Sequence, residues 1–374
     1  MKAAIMGYGT IGSGVARVLS ENRDIIKAHA LDDIELKYVL DVRDFPGDPI
    51  NEKIVHDYKV IVDDPEVKLV VETMGGVEPA YTFVDAMLRA GKNVATSNKA
   101  LVAAKGAELI ATAKENNVNF MFEASVGGGI PIIRVILKCV TGDEIESIYG
   151  IVNGTTNYML SAMAEKDVSF DEVLKEAQSL GYAEKDPTAD VEGFDAARKI
   201  AILTSLAAGR QVDFEDFPTE GITKIEKADI AFAKENGMKV KLIAAMDKSG
   251  DSYFVRVAPF LVSKESPLFA VDGVMNAILV RGNMLGDSMY YGSGAGSLPT
   301  ASAVVGDLVE EARHVNKHVD FTWEPSKVKL LDPDEQSFRY YVRKGTECHI
   351  TGMMKEHDFL SGEGKDCDHF IRLL

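Results

Sequence analysis

Residues 181–199 read Gly-Tyr-Ala-Glu-Lys-Asp-Pro-Thr-Ala-Asp-Val-Glu-Gly-Phe-Asp-Ala-Ala-Arg-Lys, and no other stretch of the chain concentrates as much usable chemistry. The carboxylates Glu184, Asp186, Asp190 and Asp195 crowd a loop that runs into a helix. Asp195 and Lys199 are four residues apart, so on that helix both side chains project from one face. The helix then turns apolar through Ile200, Ala201, Ile202 and Leu203, which predicts a buried far end. Acids and a lysine at the mouth of a buried helix can grip a zwitterion and leave an ammonium able to donate a proton. The same spacing also describes an ordinary solvated ion pair, so the weight of the reading rests on the rest of the chain.

A second chemical segment lies at the start. An apolar strand over 2–6 ends in Gly7-Tyr8-Gly9-Thr10-Ile11-Gly12, and an amphipathic helix follows with Val15, Val18 and Leu19 on one face. Strand, Gly-x-Gly-x-x-Gly and helix in succession make a dinucleotide cradle. Gly7 permits the tight turn, Gly9 lets the backbone approach a pyrophosphate, and Gly12 lets helix and strand pack closely. The helix N-terminus attracts the anion. A second strand over 34–40 runs into Asp41-Val42-Arg43-Asp44. An acid at this place hydrogen-bonds the adenosine ribose, whereas an arginine receives the 2′-phosphate of NADP. Both are present, so NAD and NADP stay open.

These residues need a frame. Strands over 67–71, 93–96 and 119–124 alternate with helices over 78–89 and 100–115, a pattern that predicts a parallel doubly wound sheet. Ligands of such sheets sit beyond the carboxyl ends of the strands. Glu72-Thr73-Met74-Gly75-Gly76, Ser97-Asn98-Lys99 and Glu123-Ala124-Ser125-Val126 all fall there. Lys99 is expected to face the nicotinamide end. The period then changes. A helix is expected over 131–140, a strand over 144–152 and helices over about 169–180 and 192–208. Strands are expected over 239–246, 253–257 and 277–281. Gly292-Ser293-Gly294-Ala295-Gly296-Ser297 opens a last helix over 300–313 that should pack back on the first domain, its glycines again suited to close approach by a cofactor.

Bulk properties exclude several classes. The 374 residues suit two domains. A net charge of −17 opposes binding to a phosphate backbone or an anionic membrane surface. No apolar run reaches the ~18 residues of a membrane-spanning helix, and residues 1–6 do not read as a signal peptide. Cys139, Cys348 and Cys367 lack metal-site spacing and fit a reducing cytoplasm.

Three segments together resemble homoserine dehydrogenase: residues 122–131 (Phe-Glu-Ala-Ser-Val-Gly-Gly-Gly-Ile-Pro), residues 150–157 (Gly-Ile-Val-Asn-Gly-Thr-Thr-Asn) and residues 181–199. The likeness covers about 1–320. It implies a Rossmann-type sheet with an inserted α+β catalytic and dimerisation domain and a short C-terminal tail, divided as 1–130 plus 300–320, 131–299 and 321–374. It implies NAD(P)-dependent interconversion of L-homoserine and L-aspartate 4-semialdehyde, in threonine and methionine biosynthesis, by a cytoplasmic homodimer or homotetramer. By position Lys199 matches the proton donor and a substrate contact, and Asp195 its catalytic partner. Glu184 and Asp190 match residues that hold the amino acid, and Lys99 a second active-site lysine. Gly7, Gly9, Thr10, Ile11, Gly12, Asp41, Arg43, Thr73, Ser97, Lys99 and Gly296 are the expected cofactor contacts. Glu123, Val126, Gly128 and Ile130 match a Na+ or K+ site built mostly from backbone carbonyls plus one carboxylate.

The tail departs from many relatives, which carry a threonine-sensing ACT domain. Residues 337–343 look like the opening strand of one, but the roughly thirty residues that follow are too few for it, so control through that domain is not expected. Two rival functions make different demands on the chain. A semialdehyde dehydrogenase of another type would need a cysteine at the nicotinamide, where Cys139 is poorly placed. A non-catalytic NAD(P)-binding redox sensor would not need the acid–lysine helix to be complete, as it is here.

Overall fold

A computed structural model describes all of residues 1–374. The chain divides into two units. The first comprises Met1–Cys139, Ser205–Gln211 and Ala295–Lys327, and the second Val140–Thr204, Val212–Gly294 and Val328–Leu374. Residues 328–374, read from sequence as part of a separate extension beginning at 321, count with the second unit.

The first unit opens with β1 (Lys2–Met6), α1 (Thr10–Glu21), α2 (Arg23–Ala30), β2 (Glu35–Leu40) and β3 (Ile54–Val55). It continues with α3 (Lys59–Asp63), β4 (Val67–Glu72), α4 (Ala80–Arg89), β5 (Asn93–Thr96), α5 (Lys99–Glu115) and β6 (Phe120–Met121). The strands form one sheet in the order β3-β2-β1-β4-β5-β6, and every pairing is parallel. In β1, Ala3, Ala4, Ile5 and Met6 are all fully buried, as expected of a parallel strand covered on both faces. The core gathers Ala3, Ile5, Leu69, Val71 and Ala95 of the sheet under Val15 and Leu19 of α1. It is completed by Ala301, Val304 and Leu308 of a helix that appears much later in the chain, Ser297–Arg313.

Two expectations fail at the sheet's last edge. The strand expected over 119–124 is only Phe120–Met121, because Glu123–Ser125 coil into a 3-10 turn. The helix expected over 131–140 is a single π turn, Val135–Cys139. The backbone N–H groups of Ile132, Ile133 and Arg134 point at the Glu123 carboxylate. A side chain therefore satisfies the amides that would begin an ordinary helix.

In the second unit come β7 (Ile145–Ile151), α6 (Gly154–Lys166), α7 (Phe170–Ser179), α8 (Thr188–Val191) and α9 (Phe194–Ala208), whose last residues count with the first unit. After β8 (Arg210–Gln211) follow α10 (Lys227–Glu235), β9 (Met238–Ser249), β10 (Ser252–Ser263), β11 (Met275–Gly282) and β12 (Gly286–Ser293). The helix α11 (Ser297–Arg313) and β13 (Glu324–Lys327) return to the first unit, where β13 pairs with β8. The tail supplies β14 (Ser337–Phe338), β15 (Tyr340–Lys344), β16 (Glu347–Ile350), β17 (Met354–Lys355), α12 (Glu356–Ser361) and β18 (His369–Leu373). The large sheet runs β12-β11-β7-β9-β10-β18-β15-β16. Three tail strands thus extend it, with β18 parallel to β10 and antiparallel to β15.

Candidate active site

In the first unit the glycine turn has the geometry of a phosphate cradle. Gly7 sits at φ +97°, which only glycine adopts without strain. A Cβ on Gly12 would lie 1.9 Å from the Gly7 carbonyl oxygen, so that position admits no side chain. A Cβ on Gly9 would meet nothing within 4 Å, leaving open space where the backbone faces outward. Gly9 caps α1 without any side-chain hydrogen bond, and no acid stands in the first turn. The amides around Thr10 and Ile11 therefore begin a helix whose positive end is uncompensated, which fits the pyrophosphate of a dinucleotide. Gly296 begins α11 nearby: the next residue, Ser297, donates its hydroxyl to the Thr10 carbonyl at 2.6 Å.

The Asp41 carboxylate accepts from the Tyr8 amide at 2.8 Å and is gripped by Arg43 through Nε at 3.0 Å and a terminal nitrogen at 3.1 Å. The Arg43 guanidinium is the chief reason that the Asp41 carboxyl drops to about 2. Both residues lie just beyond the end of β2 at Leu40, as the strand expected over 34–40 implies. They share one volume because the chain turns there.

Thr73 spends its hydroxyl on the Gly7 carbonyl at 2.9 Å and so braces the glycine turn. Ser97 is half-buried at the end of β5, and Lys99, also half-buried, is the first residue of α5. A residue given no role of its own in the sequence reading organises this edge. Glu72 is fully buried and accepts from the Thr96 hydroxyl at 2.5 Å, the Met74 amide at 2.7 Å and the Asn98 amide side chain at 3.5 Å. Asn98 in turn caps α5 through the Leu101 amide. Burial raises the Glu72 carboxyl. An acid ending an otherwise apolar strand was the available signal.

The glycine-rich turn at 123–130 is buried at Glu123, Val126, Gly128 and Ile130. The sequence reading lends the Glu123 carboxylate to an ion. Its oxygens accept from three backbone amides at 2.7–2.9 Å, and its own amide donates to Asp307 at 2.9 Å. No group of three or more His, Cys, Asp or Glu side chains is gathered here or elsewhere as metal ligands.

The acid–lysine segment is built in the second unit. Lys199 and Asp195 are 8% and 4% exposed, which removes the reading as a solvated surface pair. The Lys199 ammonium donates to Asp195 Oδ2 at 2.7 Å and to the Val152 carbonyl at 2.6 Å. Asp195 lies in the first turn of α9, where the helix dipole favours an anion. Asn153, which the sequence reading did not single out, donates from Nδ2 to Asp195 at 2.8 Å and to Asp190 at 2.7 Å. One cluster therefore holds Lys199, Asp195 and Asp190. Glu184 is exposed, and no hydrogen bond joins its carboxylate to that cluster. Asp186 turns back to cap Thr188 through the amide at 3.1 Å and the hydroxyl at 2.6 Å, so it shapes the loop.

A buried lysine held between a carboxylate and a carbonyl is equipped to pass a proton, and a separate glycine turn is shaped for a dinucleotide. Known proteins combine the same two parts. The profile described as homoserine dehydrogenase matches residues 131–309, and the one described as homoserine dehydrogenase, NAD binding domain, matches residues 7–123. The homoserine dehydrogenase of Bacillus subtilis is 44% identical over an alignment that covers all of this chain and 88% of that protein. The chain belongs to the homoserine dehydrogenase family. It is an NAD(P)-dependent oxidoreductase of that family, which interconverts L-homoserine and L-aspartate 4-semialdehyde.

Solved homoserine dehydrogenases agree with the fold. The enzyme from Thiobacillus denitrificans superposes with a TM-score of 0.93 at 34% identity, covering 100% of this chain and 98% of that one. That of S. aureus gives 0.82 at 32%, with the same coverage. A hyperthermophilic archaeal homoserine dehydrogenase in complex with NADPH gives 0.70 at 28%, covering 83% of this chain and 97% of that one. No helix is long and apolar enough to cross a membrane.

Proposed function

We propose that Lys199 is the acid–base group of the homoserine–semialdehyde interconversion, with Asp195 as its partner. The observation that carries this is the burial of the Lys199–Asp195 pair with the ammonium aimed between a carboxylate and the Val152 carbonyl. When bound, the nicotinamide supplies or accepts the hydride. Lys199 protonates the oxygen as the aldehyde is reduced and takes the proton back in the reverse direction. Asp195 keeps the ammonium oriented. Asp190 and Glu184 hold the substrate's α-ammonium, and Lys99 serves as the second lysine on the cofactor side.

Gly7, Gly9, Thr10, Ile11, Gly12, Ser97 and Gly296 contact the cofactor, Thr73 acts by holding the turn, and Asp41 with Arg43 admits both NAD and NADP. A Na+ or K+ ion is held by main-chain carbonyls of Glu123, Val126, Gly128 and Ile130. The Glu123 carboxylate shapes the turn. The protein works in the cytoplasm, in threonine and methionine synthesis. It works as a dimer, for which exposed Met289 and Tyr291 on the edge strand β12 supply an apolar contact.

The test is the absorbance of the reduced nicotinamide on mixing protein, homoserine and NAD or NADP in turn. Turnover with homoserine is expected, and no signal with either cofactor would end the reading. Lys199→Met should lose at least a hundredfold in rate while still binding cofactor. Retention of a tenth of the wild-type rate would move the donor role to Lys99.

A further inference from the structure

We infer that Asn153 is a positioning residue that sets the distance between Asp190, Asp195 and Lys199, an inference that rests on the acid–base role proposed for that lysine. The chain leaves β7 at Ile151, and the next two residues do separate jobs. Val152 offers its carbonyl to the Lys199 ammonium at 2.6 Å, and Asn153 turns its side chain into the acids. Asn153 is 6% exposed and every polar atom of its amide is used. Oδ1 accepts from the Thr156 amide at 2.8 Å and the Thr156 hydroxyl at 2.9 Å, which caps α6. Nδ2 has two hydrogens, and one goes to each carboxylate.

Chemistry fixes this orientation: a flipped amide would turn its oxygen on two anions and its NH2 on an N–H donor. A neutral double donor is the group that can hold two carboxylates side by side without adding charge. Asp195 then receives both the lysine and the amide on the same oxygen, Oδ2. Its remaining oxygen and the Asp190 carboxylate are thereby oriented by a helix cap whose own position is fixed.

Two substitutions separate capping from positioning. Asn153→Ser keeps a strong cap but is too short to bridge the acids. It should fold and melt within a few degrees of wild type. The homoserine KM should rise at least fivefold while the cofactor constant stays within twofold. Carboxylates that lose a donor ionise less readily, so the acidic limb of the kcat/KM profile should move to higher pH by up to about one unit. Asn153→Asp keeps the cap and the shape but places a third carboxylate against two others. Its rate relative to wild type should recover as pH falls.

A Ser variant with the wild-type substrate constant and acidic limb, or an Asp variant whose profile runs parallel to wild type, overturns the inference. Absence of turnover in wild type would instead remove the proposed reaction. The crystal structure of Asn153→Ser would still decide the geometric claim: the two carboxylates should part, and their staying in place refutes it.

Discussion

Arg43 closes over the Asp41 carboxylate with two nitrogens, and its third contact, to the Tyr8 carbonyl at 3.3 Å, pins the guanidinium beside the glycine turn. Neither side chain presents an isolated charge to a ligand. A 2′-hydroxyl can use Asp41 as an acceptor, whereas a 2′-phosphate must draw Arg43 off its partner. Asp41→Ala should therefore favour NADP over NAD in kcat/KM, and Arg43→Ala should do the reverse. Each shift should be roughly tenfold, the worth of one charge-assisted hydrogen bond. An unchanged ratio in both variants would show that neither residue meets the adenosine ribose.

A second residue-scale prediction concerns α11. Glu311 is fully buried with no hydrogen-bond partner for either oxygen, and its carboxyl is raised well above the ordinary range by burial and then by Asp307. Burial also pushes Asp307 up to about 6 against the pull of Arg134, with Glu123 adding to the rise. Acids whose folded values are raised favour the fold most below the ordinary carboxylate range, and that contribution is lost as pH rises through the folded values. Wild type should thus melt at a lower temperature at pH 8 than at pH 5. Glu311→Gln should narrow the gap by roughly 2–4 °C, as expected for about 1 kcal/mol in a domain of this size. A variant that tracks wild type at both pH values would exclude ionisation of Glu311 as the cause.

At the scale of elements, the glycine turn yields a contrast between neighbours. Gly9 has an extended backbone and room for a methyl group, so Gly9→Ala should leave melting within about 2 °C while weakening NAD(P) by tenfold or more through its outward face. Gly12→Ala must displace the Gly7 carbonyl, and should lose both stability and cofactor affinity. Full cofactor affinity in Gly9→Ala would mean that no phosphate approaches the turn. The alternating strands and helices of the first unit were legible because buried parallel strands are short apolar runs between glycines and caps. The Asp195–Lys199 face was legible from its spacing.

What escaped had weaker local signals. β12 sets half-buried Gly286, Ser288, Tyr290 and Gly292 against exposed Asp287, Met289, Tyr291 and Ser293, so large and small residues fall on both faces and no amphipathic alternation shows. α10 starts from a capping box made by Glu226 and Asp229, without the usual serine or threonine. Asn153 is an ordinary helix cap in sequence. Its second role depends on Asp190 and Asp195, 37 and 42 residues away, arriving at its amide.

Over the whole molecule, the tail is the part whose role changes most between sequence and structure. Among its many exposed charges, Arg343, Glu356 and Arg372 are buried as internal partners. Arg372 of β18 is 2% exposed, binds Glu356 at 2.9 Å through Nε and reaches Glu220 at 2.8 Å. Arg256 of β10 meets the same Glu356 at 2.8 Å, so two buried cations share one buried acid. On the next strand, Tyr341 and Arg343 of β15 both bind the fully buried Asp229 of α10 at 2.9 Å. With β18 lying between β10 and β15 in the sheet, residues 328–374 belong to the body of the second unit.

Removing Glu356 would leave Arg256 and Arg372 buried without their shared acid, at a cost of about 3–5 kcal/mol. Glu356→Met should therefore lower the melting temperature by on the order of 10 °C. Replacing Arg256, Glu356 and Arg372 together by methionine should recover most of that loss, since no charge is then left buried alone. Scanning calorimetry of the two variants decides it. If Glu356→Met melts within 2 °C of wild type, β18 is a peripheral strap that the rest of the sheet does not need.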